Sequence, residues 1–349
     1  MNKVLFLLKR REDYNHVLHS SGLGLSTGLY NSASFVSDML NNMGIESKMS
    51  VVSDNNCIDR EVTEYKPTHV IIEALWVVPT KFAILQKLHP DVKWIIRLHS
   101  EMPFMVGEGM ALDWIPDYMT FKNVYIGINA PRMFREVKQF LEAKYGEGSM
   151  RGRVIYMPNY YPQDFKTKKL DKSKEYIDIG CFGAVRPLKN HVPQALAAIE
   201  FANRIGKKLR FHVNAGRIEM NGEPVLRNLK SVFEQLHESG HELINHQWTP
   251  REEFLELCAQ MDIGMQCSFS ETFNIVGADL VSQGVPLVGS DEIPWASGWF
   301  NAEPTESVQM VDMLIRTYKY SNINLFLNQF NLKNYTDATE VIWKHYLEG

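Results

Sequence analysis

Twelve residues near the middle of the second half of the chain carry the clearest chemistry: Ser268-Phe269-Ser270-Glu271-Thr272-Phe273-Asn274-Ile275-Val276-Gly277-Ala278-Asp279. Apolar spacing predicts a helix over 273–283, which leaves Glu271 in the preceding loop and Asp279 two turns inside. On a continuous helix their side chains would be offset by about 80°, and by less with the first in a loop. The helix start at Phe273, Asn274 and Ile275 would offer free N–H groups to an anion, while the two carboxylates accept from hydroxyls. Gly183-Ala184-Val185-Arg186-Pro187-Leu188-Lys189-Asn190 adds two cations between a strand and a helix. Arginine can grip a diphosphate with paired hydrogen bonds, and lysine adds a point charge. Further along, Arg217 in Asn214-Ala215-Gly216-Arg217 is read as another phosphate contact, and Trp248 in Gln247-Trp248-Thr249 as either core or a platform for a base.

Two more stretches lie in the first half. Arg97-Leu98-His99-Ser100-Glu101 ends an apolar run, so its histidine stands at a strand exit, where a cleft would be; a surface ion pair at a capped strand end is the plainer reading. Residues 22–28 pass through Gly22, Gly24 and Gly28 into a helix, which suits either a turn or a phosphate cradle. They match neither the dinucleotide fingerprint nor the phosphate-binding loop with its Lys-Ser/Thr pair.

The elements that must position these residues alternate. Apolar runs at 4–8, 47–53, 69–73, 94–98 and 124–129 predict strands, with helices over 29–40, 81–88 and 132–144. The pattern breaks over 154–175, where Lys166, Lys168, Lys169, Lys172 and Lys174 suggest a domain junction. It restarts with strands at 176–182, 209–214, 243–246, 263–267 and 286–289, separated by helices over 191–205, 225–237, 251–261 and 273–283, and closes with helices at 307–318 and 337–347. Strands spaced by helices imply parallel sheets covered on both faces. The expected architecture is α/β, with an N-terminal domain over 1–157, a C-terminal domain over 158–334, and the last helix, about 335–349, packing back on the first.

Composition narrows the class. A chain of 349 residues exceeds the single-core limit of about 250–300, and 45% apolar with 22% charged residues is ordinary for a globular protein. No apolar run reaches the roughly 18 residues of a membrane span. The start Met1-Asn2-Lys3 leads directly into a strand without a leader pattern, and four cysteines lack paired spacing, so reduced thiols in a cytoplasm are expected. The net charge of −4 argues against a dedicated nucleic-acid binder, yet residues 1–175 hold 23 Lys and Arg against 20 Asp and Glu, and the remainder 14 against 21. That asymmetry hints at an anionic partner on the first half.

The 268–288 segment resembles the carboxylate-x7-carboxylate motif of retaining GT-B glycosyltransferases, the glycogen-synthase and sucrose-synthase-like group called family 4. The family string is E-x-F-G-x-x-x-x-E-A followed by G-x-P-V-V. Glu271, Phe273 and Gly284-x-Pro286-Leu287-Val288 match, while Asn274 and Asp279 depart from glycine and glutamate. Lys189 falls on the family's diphosphate lysine; its arginine position is Ala184 here, with Arg186 two residues on as the substitute. His99 corresponds to a family histidine facing the reacting sugar, Met157-Pro158-Asn159 to its P-N-G linker, and Ser26-Thr27-Gly28 to a glycine pair before the first helix. Lys9-Arg10-Arg11 and Glu73-Ala74-Leu75-Trp76 also resemble phage-encoded members, whose compartment would be the host cytoplasm.

The resemblance implies a GT-B fold, two doubly wound Rossmann-like domains facing each other across a cleft, and retaining transfer from a nucleoside diphosphate sugar. His99 and Glu271 would act at the transferred sugar. Gly28, Arg186, Lys189, Arg217, Asp279 and the N–H groups of Phe273, Asn274 and Ile275 would hold the donor, with Asp279 at the ribose. Positive side chains would stabilise the departing diphosphate, so neither a metal nor another cofactor is expected. Two other classes share such a site: a nucleotide-sugar epimerase and a non-catalytic sugar-nucleotide-binding protein. For the acceptor, family precedent points to a glycan or small molecule. The phage-like features, with Lys9, Arg10, Arg11, Arg151 and Arg153, point instead to a hydroxymethylated base in phage DNA, flipped from its duplex.

Overall fold

Residues 4–8 are apolar at every position, and a run without a polar face must be covered on both sides. In the computed structural model, which describes residues 2–10 and 28–348, this run lies inside β1 (Lys3–Lys9). Leu5 and Leu7 enter one core, with Ile72, Trp94 and Ile96; Val4, Phe6 and Leu8 enter the other, with Ile71 and Ile95. The remaining strands of this sheet are β2 (Glu46–Val52), β3 (His69–Glu73), β4 (Lys93–Leu98), β5 (Val124–Ile128) and β6 (Val154–Tyr156), in the order β2-β1-β3-β4-β5-β6, every neighbouring pair parallel. The helices are α1 (Gly28–Asn42), α2 (Ile58–Tyr65), α3 (Phe82–Leu88), α4 (Met102–Met105), α5 (Ala111–Tyr118) and α6 (Pro131–Tyr145). The sequence reading took 154 as the start of an irregular junction; instead β6 extends the sheet, too short to display a period of its own.

The second sheet holds β7 (Tyr176–Gly180), β8 (Lys208–Val213), β9 (Glu242–Asn245), β10 (Ile263–Gln266) and β11 (Leu287–Gly289), in the parallel order β11-β10-β7-β8-β9. Between them run α7 (His191–Arg204), α8 (Gly222–Gln235), α9 (Arg251–Gln260) and α10 (Ile275–Ser282), followed by α11 (Ser307–Lys319) and α12 (Ser321–Glu348). Ile177, Ile179, Leu209, Phe211 and Val213 form the core on one face of this sheet. The alternate positions of β7 and β8 carry ions instead: Arg210 Nη2 donates to Asp178 Oδ2 at 2.8 Å, and His212 Nε2 lies 3.0 Å from Asp178 Oδ1. This face of β7 and β8 is covered too, but its buried side chains, Asp178 and His212, are polar rather than apolar.

The chain divides into two compact units, Met1–Pro162 with Thr336–Gly349, and Gln163–Tyr335. The lysine-rich stretch belongs to the second unit and is laced onto it. Lys166 Nζ donates to Gln283 Oε1 at 2.7 Å, Lys168 Nζ to the Ala259 and Met261 carbonyls at 2.8 and 2.9 Å, and Lys174 Nζ to Asp262 Oδ1 at 2.8 Å. Helix α12 starts well before the expected 337. Its asparagines are weak helix formers that hid the element, and they serve as connectors: Asn324 Oδ1 accepts from Leu287 N, and Asn328 Oδ1 from Ser297 N, at 2.8 and 2.9 Å. Its last turns join the first unit, where Trp343 lies tilted against Phe6 and donates to the Pro158 carbonyl at 2.9 Å. Among the described residues no helix is long and apolar enough to cross a membrane.

Candidate functional site

In a doubly wound sheet the chain runs outward in both directions from one strand, and loops beyond the carboxyl ends of the strands flanking that point leave a crevice. In the second unit β7 has β10 on one side and β8 on the other, so the β7–α7 and β10–α10 loops adjoin. Gly183, at φ +118°, turns the chain out of β7, and its N–H donates to Asn214 Oδ1 at 2.7 Å. A single turn over Pro187–Lys189 and a left-handed Asn190 then lead into α7. Asn190 Nδ2 donates to the Cys267 and Pro304 carbonyls at 3.1 and 2.7 Å, and Phe269 N to the Leu188 carbonyl at 2.9 Å, tying the two loops together. Across them, the buried Lys189 Nζ meets the buried Glu271 Oε1 at 2.5 Å.

Arg186 Nη1 and Arg217 Nη2 both meet Glu219, at 2.9 and 2.6 Å, and the Arg217 guanidinium lies 5.5 Å from the Trp248 ring centre. Gly216 makes this approach possible, because a Cβ there would come within 2.8 Å of Trp248 N. The buried Ala184 offers no charge of its own, so the guanidinium groups here are Arg186 of the β7–α7 loop and Arg217 of the β8–α8 loop.

Helix α10 corrects one expectation. It starts at Ile275, not at 273, because Asn274 adopts a left-handed conformation and caps the helix itself, its Oδ1 accepting from Gly277 N at 2.7 Å. Phe273 precedes the helix and is a core residue, packed against Trp295 and Tyr335. Of the three N–H groups assigned to an anion, only that of Ile275 therefore lies in the first turn of the helix. Asp279 lies inside α10, 2% exposed, with Oδ1 2.8 Å from Arg251 Nη2 at the start of α9. Sequence reading missed Arg251 and Glu219; neither falls in a motif, and only the fold brings each to a cation or carboxylate already singled out.

In the first unit, the carboxyl ends of β3, β4 and β5 carry a buried polar network. Glu73 and Arg97, both wholly buried, pair at 3.1 Å between Nη1 and Oε1. Glu73 Oε2 also accepts from His99 Nε2. Arg97 further donates to the carbonyls of Met157 and Pro158, each at 3.2 Å, and to Asn159 Oδ1 at 2.6 Å, so it is a structural latch and no surface ion. Asn129 Nδ2 lies 3.5 Å from His99 Nδ1 and 3.3 Å from Asn159 Oδ1; Asn159 Nδ2 donates to Ser32 Oγ, which donates to the Gly28 carbonyl at 2.7 Å. His99 and Gly28 therefore share one network, while residues 22–27 lie outside the described residues. Beside Glu73, Ala74 is held at φ +70°, a strained backbone for a residue with a Cβ. Glu101 pairs with Arg132 at 2.9 Å.

Burial lowers the pKa of His99, and the neighbouring Arg97 lowers it further; Glu73 opposes both without reversing the shift. Burial alone would raise the Glu73 carboxyl, but Arg97 and His99 more than offset it, leaving its pKa below the ordinary carboxylate value. Near neutral pH the network therefore holds an ionised Glu73 and Arg97 beside a neutral imidazole, whose Nε2–H is turned to the carboxylate.

Among the described residues no three His, Cys, Asp or Glu side chains group as a metal site. His241 accepts from Leu209 N through Nδ1 at 3.0 Å, and His246 stacks on His212, so both are absorbed by the second unit. His16 and His19 lie outside the described residues.

No family model matches the chain, and no curated protein matches it in sequence. Solved structures do. A UDP-forming α,α-trehalose-phosphate synthase from Burkholderia vietnamiensis is similar over 100% of this chain and 97% of its own, at 12% identity and a TM-score of 0.73. Anabaena HepE, solved with UDP and glucose, is similar over 100% and 99%, at 13% identity and 0.65. Sucrose-phosphate synthase from Thermosynechococcus elongatus is similar over 99% and 98%, at 10% identity and 0.65. With its two parallel-sheet α/β units, the chain has the GT-B fold of these glycosyltransferases.

Proposed function

We propose that this chain is a retaining glycosyltransferase that moves a sugar from a UDP-sugar to an acceptor hydroxyl without a metal. The observation that carries the reading is the Lys189–Glu271 pair, which joins the two loops at the topological switch point of a GT-B fold. A departing diphosphate gains negative charge as the glycosidic bond breaks. Lys189, Arg186 and Arg217 supply fixed positive charge to stabilise it, which a water-poor site makes effective. Glu271 accepts from hydroxyls of the transferred sugar and orients Lys189; Asp279, set by Arg251, serves the ribose. His99, neutral and oriented by Glu73, is the residue assigned to the reacting sugar. The UDP and glucose solved with HepE, and the UDP-2-fluoro glucose in a similar structure from E. coli, support the donor class; the glucose-6-phosphate bound to a trehalose-phosphate synthase bears on the acceptor.

For the acceptor, a free or phosphorylated small sugar is the better reading. The basic stripe that would contact duplex DNA loses Arg153, whose guanidinium donates to the carbonyls of Met119, Phe121 and Val124 at 2.9, 2.7 and 2.7 Å. Incubation with labelled UDP-sugars against monosaccharides, sugar phosphates, glycans and hydroxymethylated duplex tests both halves. Label transferred to a small sugar supports the reading; transfer to duplex alone replaces its acceptor. Conversion of the sugar nucleotide without any acceptor would mark an epimerase, and binding without turnover a scaffold.

A further inference from the structure

The proposed donor site leaves the carboxylate of Glu219 without a role. It stands between the guanidinium groups of two different loops, 2.9 Å from Arg186 Nη1 and 2.6 Å from Arg217 Nη2. The backbone is bent to put it there. Val185 N donates to the Arg217 carbonyl at 3.0 Å, and Glu219 N to the Val185 carbonyl at 2.9 Å, so residues 217–219 are clamped to the β7–α7 loop. Immediately after, Met220 and Asn221 sit at φ +45° and +62°, and a Cβ on Gly222 would fall 2.0 Å from the Val185 carbonyl oxygen. Two left-handed non-glycine residues and an obligatory glycine hold this turn against the loop, a local strain that persists only where the surroundings enforce it. The three side chains are each about one-fifth exposed, at 20%, 20% and 22%, so a displaced carboxylate has water to enter.

We propose that Glu219 is a built-in competitor for the diphosphate: its carboxylate occupies, between Arg186 and Arg217, the position a phosphate group takes in the loaded site. A carboxylate and a phosphate cannot both be held by the same pair of guanidinium groups without repelling each other. The diphosphate must therefore displace Glu219, which returns when the product leaves. The arrangement weakens product binding and speeds its release, and between turnovers it gives two adjacent cations a shared counter-charge. This inference rests on the donor-site reading above.

The test is calorimetric titration of the full chain with two probes, UDP and inorganic pyrophosphate, comparing wild type with Glu219→Gln, alongside Arg186→Ala and Lys189→Ala. Relief of two partly exposed ion pairs corresponds to a tightening of roughly three- to tenfold. Glu219→Gln should bind both probes more tightly by that factor. Unchanged or weaker binding overturns the proposal, as does tightening toward UDP alone, which would place Glu219 at the base or ribose. If Arg186→Ala or Lys189→Ala loses affinity while Glu219→Gln gains none, only the competitor idea falls. If neither cation variant changes affinity, the diphosphate reading of the loop falls as well.

Discussion

Lys189 and Glu271 come from segments 82 residues apart, yet their Nζ and Oε1 atoms meet at 2.5 Å with both side chains buried. The pair forms because β7 and β10 are neighbours in the sheet, which brings the loops at their carboxyl ends together. A buried cation so placed is costly unless something anionic faces it. Glu271 fills that need.

Lys189→Ala and Arg186→Ala should each weaken UDP binding by about 1–3 kcal/mol, the range for charge-assisted hydrogen bonds. Lys189→Ala should also lower the melting temperature, since it leaves buried Glu271 without its partner. Calorimetric titration of folded protein reads the first effect; unchanged affinity in both variants would remove these residues from the donor site.

Asp279→Asn should raise the KM for the sugar nucleotide and weaken UDP binding. It should also destabilise the fold, because the Arg251 guanidinium 2.8 Å away loses its counter-charge. A double variant, Asp279→Asn with Arg251→Gln, should recover melting temperature without recovering KM. Recovery of both would reduce the pair to a purely structural brace.

Much of this site was legible in the sequence. The motif spacing around Glu271, Lys189 and His99 put each on the right loop, because loop position at strand ends follows directly from the β/α alternation. The helix start at 273 was misplaced, since Asn274 reads as an ordinary residue until its left-handed conformation is seen. Glu73, Glu219 and Arg251 were illegible as site residues. Glu73 and Arg251 pair with residues 24 or more positions away, and Glu219 is set by a strained turn whose shape no periodicity encodes. The first half of α12 was missed for a similar reason: its asparagines bond to β11 and to the loop before Trp299, a use that only tertiary structure reveals.

Glu73→Gln should shift the acid limb of the activity profile. With the carboxylate gone, His99 loses a neighbour that favours its protonated form, so its pKa falls further and kcat changes while UDP affinity stays constant. Because Arg97 is then left buried without a counter-ion, the double variant Glu73→Met, Arg97→Met provides a folded reference. It should fold yet remain slow. Wild-type activity in the double variant would show that Glu73 only neutralises Arg97.

Stability should fall as the solution is acidified below pH 6.5. Burial holds His69 at about 4 and His191 at about 3, against 6.5 when exposed. Between those limits the unfolded chain binds the extra protons, so stability is full above 6.5 and declines as pH drops through the folded values. Among the described residues neither ring nitrogen of His191 has a hydrogen-bond partner, so His191→Leu should flatten that slope by about one proton and keep the fold. Thermal melts between pH 7 and 4 measure both; an unchanged slope in the variant would contradict the assignment.

Activity should survive EDTA if, as proposed, side-chain cations rather than a divalent ion stabilise the leaving diphosphate. Loss on chelation with rescue by Mg²⁺ or Mn²⁺ would mean that Lys189, Arg186 and Arg217 do not suffice.

The most direct test is proton and phosphorus NMR of UDP-sugars incubated with small-sugar acceptors, using wild type and Glu271→Gln side by side. The wild type should release UDP in step with a product that keeps the donor's anomeric configuration. Glu271→Gln should do so at least roughly tenfold more slowly at little changed UDP affinity, because it keeps the shape but loses bonds that strengthen in the transition state. Inverted product, or transfer by Glu271→Gln at the wild-type rate, would contradict the mechanism proposed for this chain.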